Sequence, residues 1–171
     1  MTDIRSEIPA LAYVNAQIIQ EAVRVGALDQ PTRQVEMDYR LPTGCLRILN
    51  PGYLLGLLYC LFVVPKEFWI GREESHPAFT DIDSDKLLTF FSISKKSEKF
   101  DKNPRYHLLR HIRNSISHVR FGLDDDVFIF LDVDRDKETF RATCTLAVLS
   151  EFVSYVGPVL ANLRNMSLRT H

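Results

Sequence analysis

The chain has 171 residues, of which 46% are hydrophobic and 11% aromatic, so it can bury a core of ordinary size and is too apolar for a disordered protein. Lys and Arg number 21 against 22 for Asp and Glu, a net charge of −1, which excludes a protein that binds nucleic acid or membranes over its whole surface. Three widely spaced cysteines, Cys45, Cys60 and Cys144, fit neither a disulfide framework nor a paired-cysteine zinc site and favour a cytoplasmic location. No repeat or linker divides the chain, so we expect a single domain over residues 1–171.

Two helices are predicted in the first part of the chain. Residues 10–25 place apolar side chains at spacings of three and four, and Gly26 follows as a stop signal. The side chains expected to face the core are Leu11, Val14, Ile18, Ala22 and Val25. A second helix begins at Asn50 and Pro51, a good N-cap followed by a proline. Its apolar segment 53–64 falls short of the roughly 20 residues that cross a bilayer, so we expect a buried core helix and no membrane partner.

The middle of the chain is predicted to be helical. A loop at 71–83 precedes a weaker helix at about 84–98. A stronger helix is predicted at 104–119, where Asn103 and Pro104 repeat the cap-then-proline start. Its core-facing side chains are Leu108, Leu109, Ile112, Ile116 and Val119.

The last third of the chain changes its pattern. Two runs rich in β-formers, 127–133 and 140–144, bracket a polar segment, which predicts a hairpin at about 127–144. The acidic residues from Asp132 to Asp136 resemble the start of a calcium loop, but the required Gly and Glu are missing, so we interpret them as a charged turn. A C-terminal helix is predicted at about 146–163, with a kink at its Gly-Pro pair.

The polar face of helix 104–119 is unusual. On a helical wheel three histidines and an asparagine fall within a stripe about 60° wide, with three further polar residues along one edge. The stripe consists of His107, His111, Asn114 and His118, and the edge of Arg110, Arg113 and Ser117. The segment 95–120 holds eight basic and two acidic residues, whereas the whole chain has a net charge of −1. A polyanion is therefore expected here; a solvated helix face beside a lysine-rich loop is the alternative.

The segment from Arg113 to His118 resembles the motif of the HEPN superfamily: an Arg, commonly followed by a polar residue such as Asn, and then a His after four to six intervening residues. Asn114 follows the Arg here, and the motif lies in a late helix of a small helical domain. The hairpin-then-helix ending is similar to a branch found on bacterial plasmids and mobile elements. The resemblance implies a mainly α fold, a HEPN-like helical bundle with a small β-hairpin before the C-terminal helix.

The resemblance further implies a metal-independent endoribonuclease that cleaves RNA through attack by the 2′-OH and needs no cofactor. His118 suits the proton transfer, because histidine exchanges protons near neutral pH. Arg113 suits the phosphate charge, since a guanidinium is always charged and matches phosphate with a planar fork. Asn114 lies one turn before His118 and suits orienting its ring or binding a phosphate oxygen. Further substrate-binding residues are expected to be Arg110, His111, Ser117 and Arg120.

A homodimer is the expected assembly. Arg113 and His118 point about 140° apart on an ideal helix, so a second copy or a distorted helix end is needed to bring them together. The family commonly pairs these helices across a dimer, and the small side chains of Ser115 and Ser117 leave room for close approach. Besides RNA, the resemblance implies a possible antitoxin partner and a role as a toxin or a phage-defence effector. Arg120 stands where one branch has a tyrosine that its antitoxin nucleotidylates, so that regulation is not expected.

Two other interpretations compete with catalysis by the motif. His107 and His111 have the spacing of metal ligands, but no helical carboxylate joins them and basic neighbours repel a cation, so no metal site is expected. The second alternative is a non-catalytic interaction module of the HEPN fold that binds a protein or nucleotide partner. Its binding surface would consist of Tyr53, Tyr59, Phe62 and Trp69.

Overall fold

The computed structural model describes residues 8–64 and 81–161 of the chain. In these ranges the elements are α1 (Ile8–Arg24), α2 (Asp29–Asp38), α3 (Pro51–Leu58), a π-helical segment (Tyr59–Val63), α4 (Ser84–Thr89), β1 (Ser92–Lys95), a 3₁₀ turn (Phe100–Lys102), α5 (Pro104–Ser117), β2 (Phe121–Asp124), β3 (Val127–Asp134), β4 (Lys137–Thr145) and α6 (Leu146–Ala161). The mainly α class is confirmed. Among these described helices, each is too short or too polar to cross a membrane. Residues 71–80 of the loop expected at 71–83, and the end of the helix expected to reach 163, lie outside the described residues.

The sheet is larger than the hairpin predicted from the sequence. Within the described residues it has four antiparallel strands in the order β1-β4-β3-β2. The hairpin of β3 and β4 is confirmed, but its turn consists only of Arg135 and Asp136, both with positive φ (47° and 63°), as a two-residue turn of the I′ type requires. Most of the polar segment between the two β-rich runs therefore belongs to the strands.

The helix predicted at 84–98 is wrong beyond its first two turns. The α4 helix ends at Thr89, and Ser92–Lys95 forms β1, which pairs with β4. Residues Ser92 and Ile93 lie opposite Thr143 and Ala142. A strand this short is stabilised by its partner, which lies some fifty residues later in the chain, so local periodicity does not reveal it.

The core lies between the helices and the inner face of the sheet. Its largest fully buried side chains are Phe62, Phe100, Phe128, Phe130, Phe140 and Phe152. Helix α5 is central, because it packs against β3 on one side and against the π-helical segment and α4 on the others. A helix with neighbours on several sides buries more than one stripe of its surface, so some polar side chains of α5 are buried as well.

Helix α1 packs through a different face from the one predicted. None of its five expected core residues belongs to the core: Ala22 is only half-buried, and Leu11, Val14, Ile18 and Val25 are between 50% and 61% exposed. The face that packs instead carries Tyr13 and Ala16. The Tyr13 ring lies against Gly157 of α6, where an added Cβ would come within 2.3 Å of the ring. The close approach of α1 to α6 thus depends on a glycine far along the chain.

The two ends of α5 are defined by local chemistry. Asn103 caps the N-terminus, because its side chain accepts a hydrogen bond from the backbone N–H of Tyr106. At the other end the N–H of Val119 donates to the carbonyl of Ile116, and the N–H of Arg120 donates to that of Ser115, the pattern of a Schellman motif. The helix therefore ends at Ser117, and Val119, predicted to face the core, is 76% exposed.

Candidate active site

A groove of about 760 Å³ runs between α5 and the sheet. Part of its lining is the lysine wall, residues 95–99, which includes the end of β1 and carries three lysines. The rest of the lining comes from the polar stripe of α5, from the end of β3 and from the start of β4. The α5 residues that line the groove are His107, Arg110, His111, Asn114 and His118. The stripe predicted from the helical wheel is thus gathered in one place, although two of its histidines, His107 and His111, are buried.

His111 forms a buried pair with Asp132 of β3. Its Nδ1 lies 2.7 Å from Oδ2 of Asp132, and both residues are about 6% exposed. The imidazole stacks nearly parallel to the ring of Phe140, at 4.6 Å between centroids, and to that of Phe100 at 6.3 Å. Its other nitrogen, Nε2, is buried without a hydrogen-bond partner in the described part of the chain. The ring is therefore fixed in place with one nitrogen engaged and one unsatisfied.

Asp132 joins this pair to the motif. Its Oδ2 also accepts a hydrogen bond from Nδ2 of Asn114 at 2.9 Å, and its Oδ1 accepts one from the backbone N–H of Val133 at 3.0 Å. Burial acts to raise the pKa of Asp132, but the hydrogen bonds from His111 and Asn114 act against it, and the pKa lies below the usual value of a carboxyl group. Asp132 is therefore a carboxylate at neutral pH.

Arg113 lies behind Asn114 and does not line the groove. Its Nη2 and Nε lie 2.8 and 3.3 Å from Oδ1 of Asn114. Arg113 is only 7% exposed, so the expectation that it lies on the polar side of the helix is wrong. The cause is the central position of α5, which leaves that edge of the helix covered. Burial, and secondarily the charge of Arg110, lower the pKa of Arg113.

The hydrogen bonds form one chain from Arg113 through Asn114 and Asp132 to His111. Asp132 is the member that sequence reasoning missed. A signal for it exists, because Phe128, Phe130 and Asp132 occupy alternate positions of β3 and so share one face of the strand. A carboxylate that continues a buried aromatic face needs polar partners, which α5 supplies here.

The remaining expected site residues lie in different surroundings. His118 is the exposed C-cap of α5 and Arg110 is exposed, and both line the groove. Arg120 donates from Nη1 to the carbonyl of Val133 at 2.8 Å, so it holds β3. Ser117 is half-buried and is not among the groove residues.

Two expected surfaces are each missing at least one of their expected side chains, because Ser115 and Phe62 are buried. Ser115, expected to allow close approach of a second copy, is fully buried, and its hydroxyl lies within hydrogen-bond distance of the carbonyls of His111 and Leu131. It therefore holds α5 to β3. Of the aromatic surface expected for partner binding, Phe62 lies in the core and Trp69 lies outside the described residues.

The comparisons with known proteins identify a family. The family model described as HEPN pEK499 p136 matches residues 6–166, which is nearly the whole chain. Neither the curated proteins nor the solved structures contain a match. The match includes α5 with its Arg-Asn-x-x-x-His segment and the entire groove, and it confirms the resemblance found in the sequence. The chain therefore belongs to the HEPN pEK499 p136 family, a plasmid-associated branch of the HEPN proteins.

Proposed function

We propose that this protein is a metal-independent endoribonuclease. HEPN domains are generally associated with ribonuclease activity. The observation that carries the proposal for this chain is the groove itself: α5 and its C-cap place Arg110, Asn114 and His118 along it, and the lysine wall of residues 95–99 lines the same groove. Groups for proton transfer, for hydrogen bonding and for phosphate binding thus lie in one place.

The lysine wall supports an RNA substrate. Lys95, Lys96 and Lys99 are exposed, and the phosphates of a single strand bind through such charges. Lys95 lies 3.7 Å from Glu138, and Lys96 pairs with Asp101. Exposed ion pairs of this kind are worth little, so a phosphate can replace the carboxylate partner.

The reaction we propose is an attack of the 2′-oxygen on the adjacent phosphorus. The bond from phosphorus to the 5′-oxygen breaks, and a 2′,3′-cyclic phosphate remains on one product. His118, exposed at the end of α5, accepts the proton of the 2′-OH. Arg113 and Asn114 act together at the phosphate. Asn114 lines the groove, and the buried guanidinium of Arg113 holds the Asn114 amide in place and supplies positive charge.

The test is cleavage of a short RNA by the purified protein with and without a chelator. We expect cleavage that is unchanged by the chelator, ends in a cyclic phosphate and is absent when the RNA is replaced by DNA. His118→Ala and Arg113→Ala should each reduce the rate by at least about a hundredfold. Arg113→Lys should not restore it, since an ammonium does not reproduce the planar fork.

Arg24→Ala is the matched control, because Arg24 is an exposed arginine of α1 whose side chain pairs with Glu21. It should retain full activity. Arg113 is buried, so circular dichroism and the melting temperature must show that its variants are folded. Cleavage that stops in the chelator and returns with a divalent ion contradicts the proposal, and no cleavage by the wild type favours a non-catalytic interaction module.

A further inference from the structure

The proposed cleavage requires two proton transfers. The 2′-OH loses a proton when its oxygen attacks phosphorus, and the 5′-oxygen gains one when its bond to phosphorus breaks. His118 carries out the first transfer in the proposed mechanism. A second group in the same groove is needed for the other.

His111 lies where such a group must be. It precedes His118 by seven residues, which places the two on the same side of α5 about 10.5 Å apart along its axis. Both line the groove. Because each ring extends well beyond the backbone, the two imidazoles can flank a single phosphodiester between them.

The hydrogen bonding of His111 leaves one nitrogen for a ligand. Nδ1 is engaged by Asp132, whereas Nε2 is buried and has no partner among the described residues. A buried polar atom without a partner is unfavourable and rare in folded proteins. A substrate oxygen at Nε2 would satisfy it, and His111 is among the residues that line the groove.

We propose that His111 is the general acid of this groove: in its protonated form it donates the Nε2 proton to the 5′-oxygen as the bond between that oxygen and phosphorus breaks. This inference rests on the proposed ribonuclease function. His118 gains one proton and His111 loses one, so the step conserves protons. After the products leave, His118 releases its proton to water and His111 takes up a proton from water. Asp132 is a positioning residue, which holds the ring through Nδ1 and stabilises its positive charge.

The environment of Asp132 supports this arrangement. Its pKa lies below the usual value because the hydrogen bonds from His111 and Asn114 outweigh the effect of burial. The carboxylate is therefore charged at neutral pH and lies where it can stabilise positive charge on the imidazole. The stacked rings of Phe100 and Phe140 prevent the imidazole from turning away.

The experiment compares two RNA substrates that differ in the leaving atom. One has the natural 5′-oxygen at a single cleavage site, and the other has sulfur in its place. A thiolate leaves without being protonated, since thiols are far more acidic than alcohols. Removal of a general acid therefore slows cleavage of the oxygen substrate and spares the sulfur substrate.

His111→Asn is the informative variant, because the amide of Asn can still donate to Asp132 while the counterpart of Nε2 is lost. Under single-turnover conditions we expect it to cleave the oxygen substrate about 10²- to 10⁴-fold more slowly than the wild type. On the sulfur substrate it should stay within about tenfold of the wild type. Asp132→Asn should show the same preference to a smaller degree, whereas His118→Ala should be slow on both substrates.

Three outcomes overturn the inference. Equal losses of His111→Asn on both substrates would assign His111 a structural role, and no loss on the oxygen substrate would exclude it from catalysis. If His111→Asn does not fold, Asp132→Asn replaces it in the test. Equal rate losses of Asp132→Asn on the oxygen and sulfur substrates would then refute the arrangement. Failure of the wild type to cleave either RNA is a different result, because it refutes the proposed ribonuclease function itself.

Discussion

Replacing Asp132 with Asn should destabilise the fold by an amount that follows from its hydrogen bonds. One oxygen of Asp132 accepts from His111 and Asn114, and the other accepts from the backbone N–H of Val133. An amide has a single oxygen, so its NH₂ group must face donors on one side or the other. At least one buried donor loses its partner, which at about 1.5–3 kcal/mol per hydrogen bond to a charged group predicts a loss of about 2–3 kcal/mol at pH 7.

The pH dependence of this loss provides a second test. The folded-state pKa of Asp132 lies below its unfolded-state value, so the charged carboxylate contributes stability above about pH 4 and loses that contribution as the pH falls through the folded-state pKa. The difference between wild type and Asp132→Asn should therefore be greatest near neutral pH and shrink in acid.

Urea unfolding followed by circular dichroism measures both quantities. Asp134→Asn is the matched control, because Asp134 belongs to the same strand but is exposed, and it should change the free energy of unfolding by less than about 0.5 kcal/mol. The reasoning would be refuted if Asp132→Asn had the same free energy of unfolding as the wild type at pH 7, or if the difference between the two proteins did not shrink in acid.

Two further predictions concern RNA and assembly. Changing Lys95, Lys96 and Lys99 together to Gln should weaken RNA binding at low salt and reduce the slope of log K against log salt by about 2, measured by fluorescence anisotropy; an unchanged slope would assign the lysines to solubility. We propose that the active unit is a homodimer, which light scattering should show; an active monomer would contradict the dimer. Because Arg113 is buried against Asn114 of its own chain, and Asn114 and His118 line the same groove, a mixture of inactive Arg113→Ala and His118→Ala proteins should recover no activity after proven subunit exchange; recovery would show that the sites are composite.

Much of α5 could be predicted because its information is local. Asn103, Pro104 and the apolar spacing of three and four define the start of the helix and its main buried face. The match of the segment from Arg113 to His118 to the HEPN motif likewise needs no tertiary structure. The start and the end of the hairpin at 127–144 are predictable for the same reason, because its two β-rich runs are local patterns in the sequence.

The environment of the polar residues was not predictable in this way. A helical wheel assumes one buried and one solvated face, whereas α5 is covered on several sides, and Arg113 and His111 are buried as a result. The role of Asp132 depends on β3 lying across α5, which the order of residues along the chain does not state. The packing face of α1 likewise depends on Gly157, more than a hundred residues away.

The end of α5 also bears on how the protein tolerates stabilisation. Val119 follows His118 with a φ of 53°, a conformation that β-branched residues rarely adopt and that glycine adopts readily. Glycine at this position would relieve roughly 1–2 kcal/mol of backbone strain, but it would also loosen the peptide adjoining His118. In the proposed mechanism, a change that makes the protein more heat-resistant would thereby make the histidine that accepts the proton less well oriented, so we expect Val119→Gly to raise the melting temperature and to lower the rate of RNA cleavage.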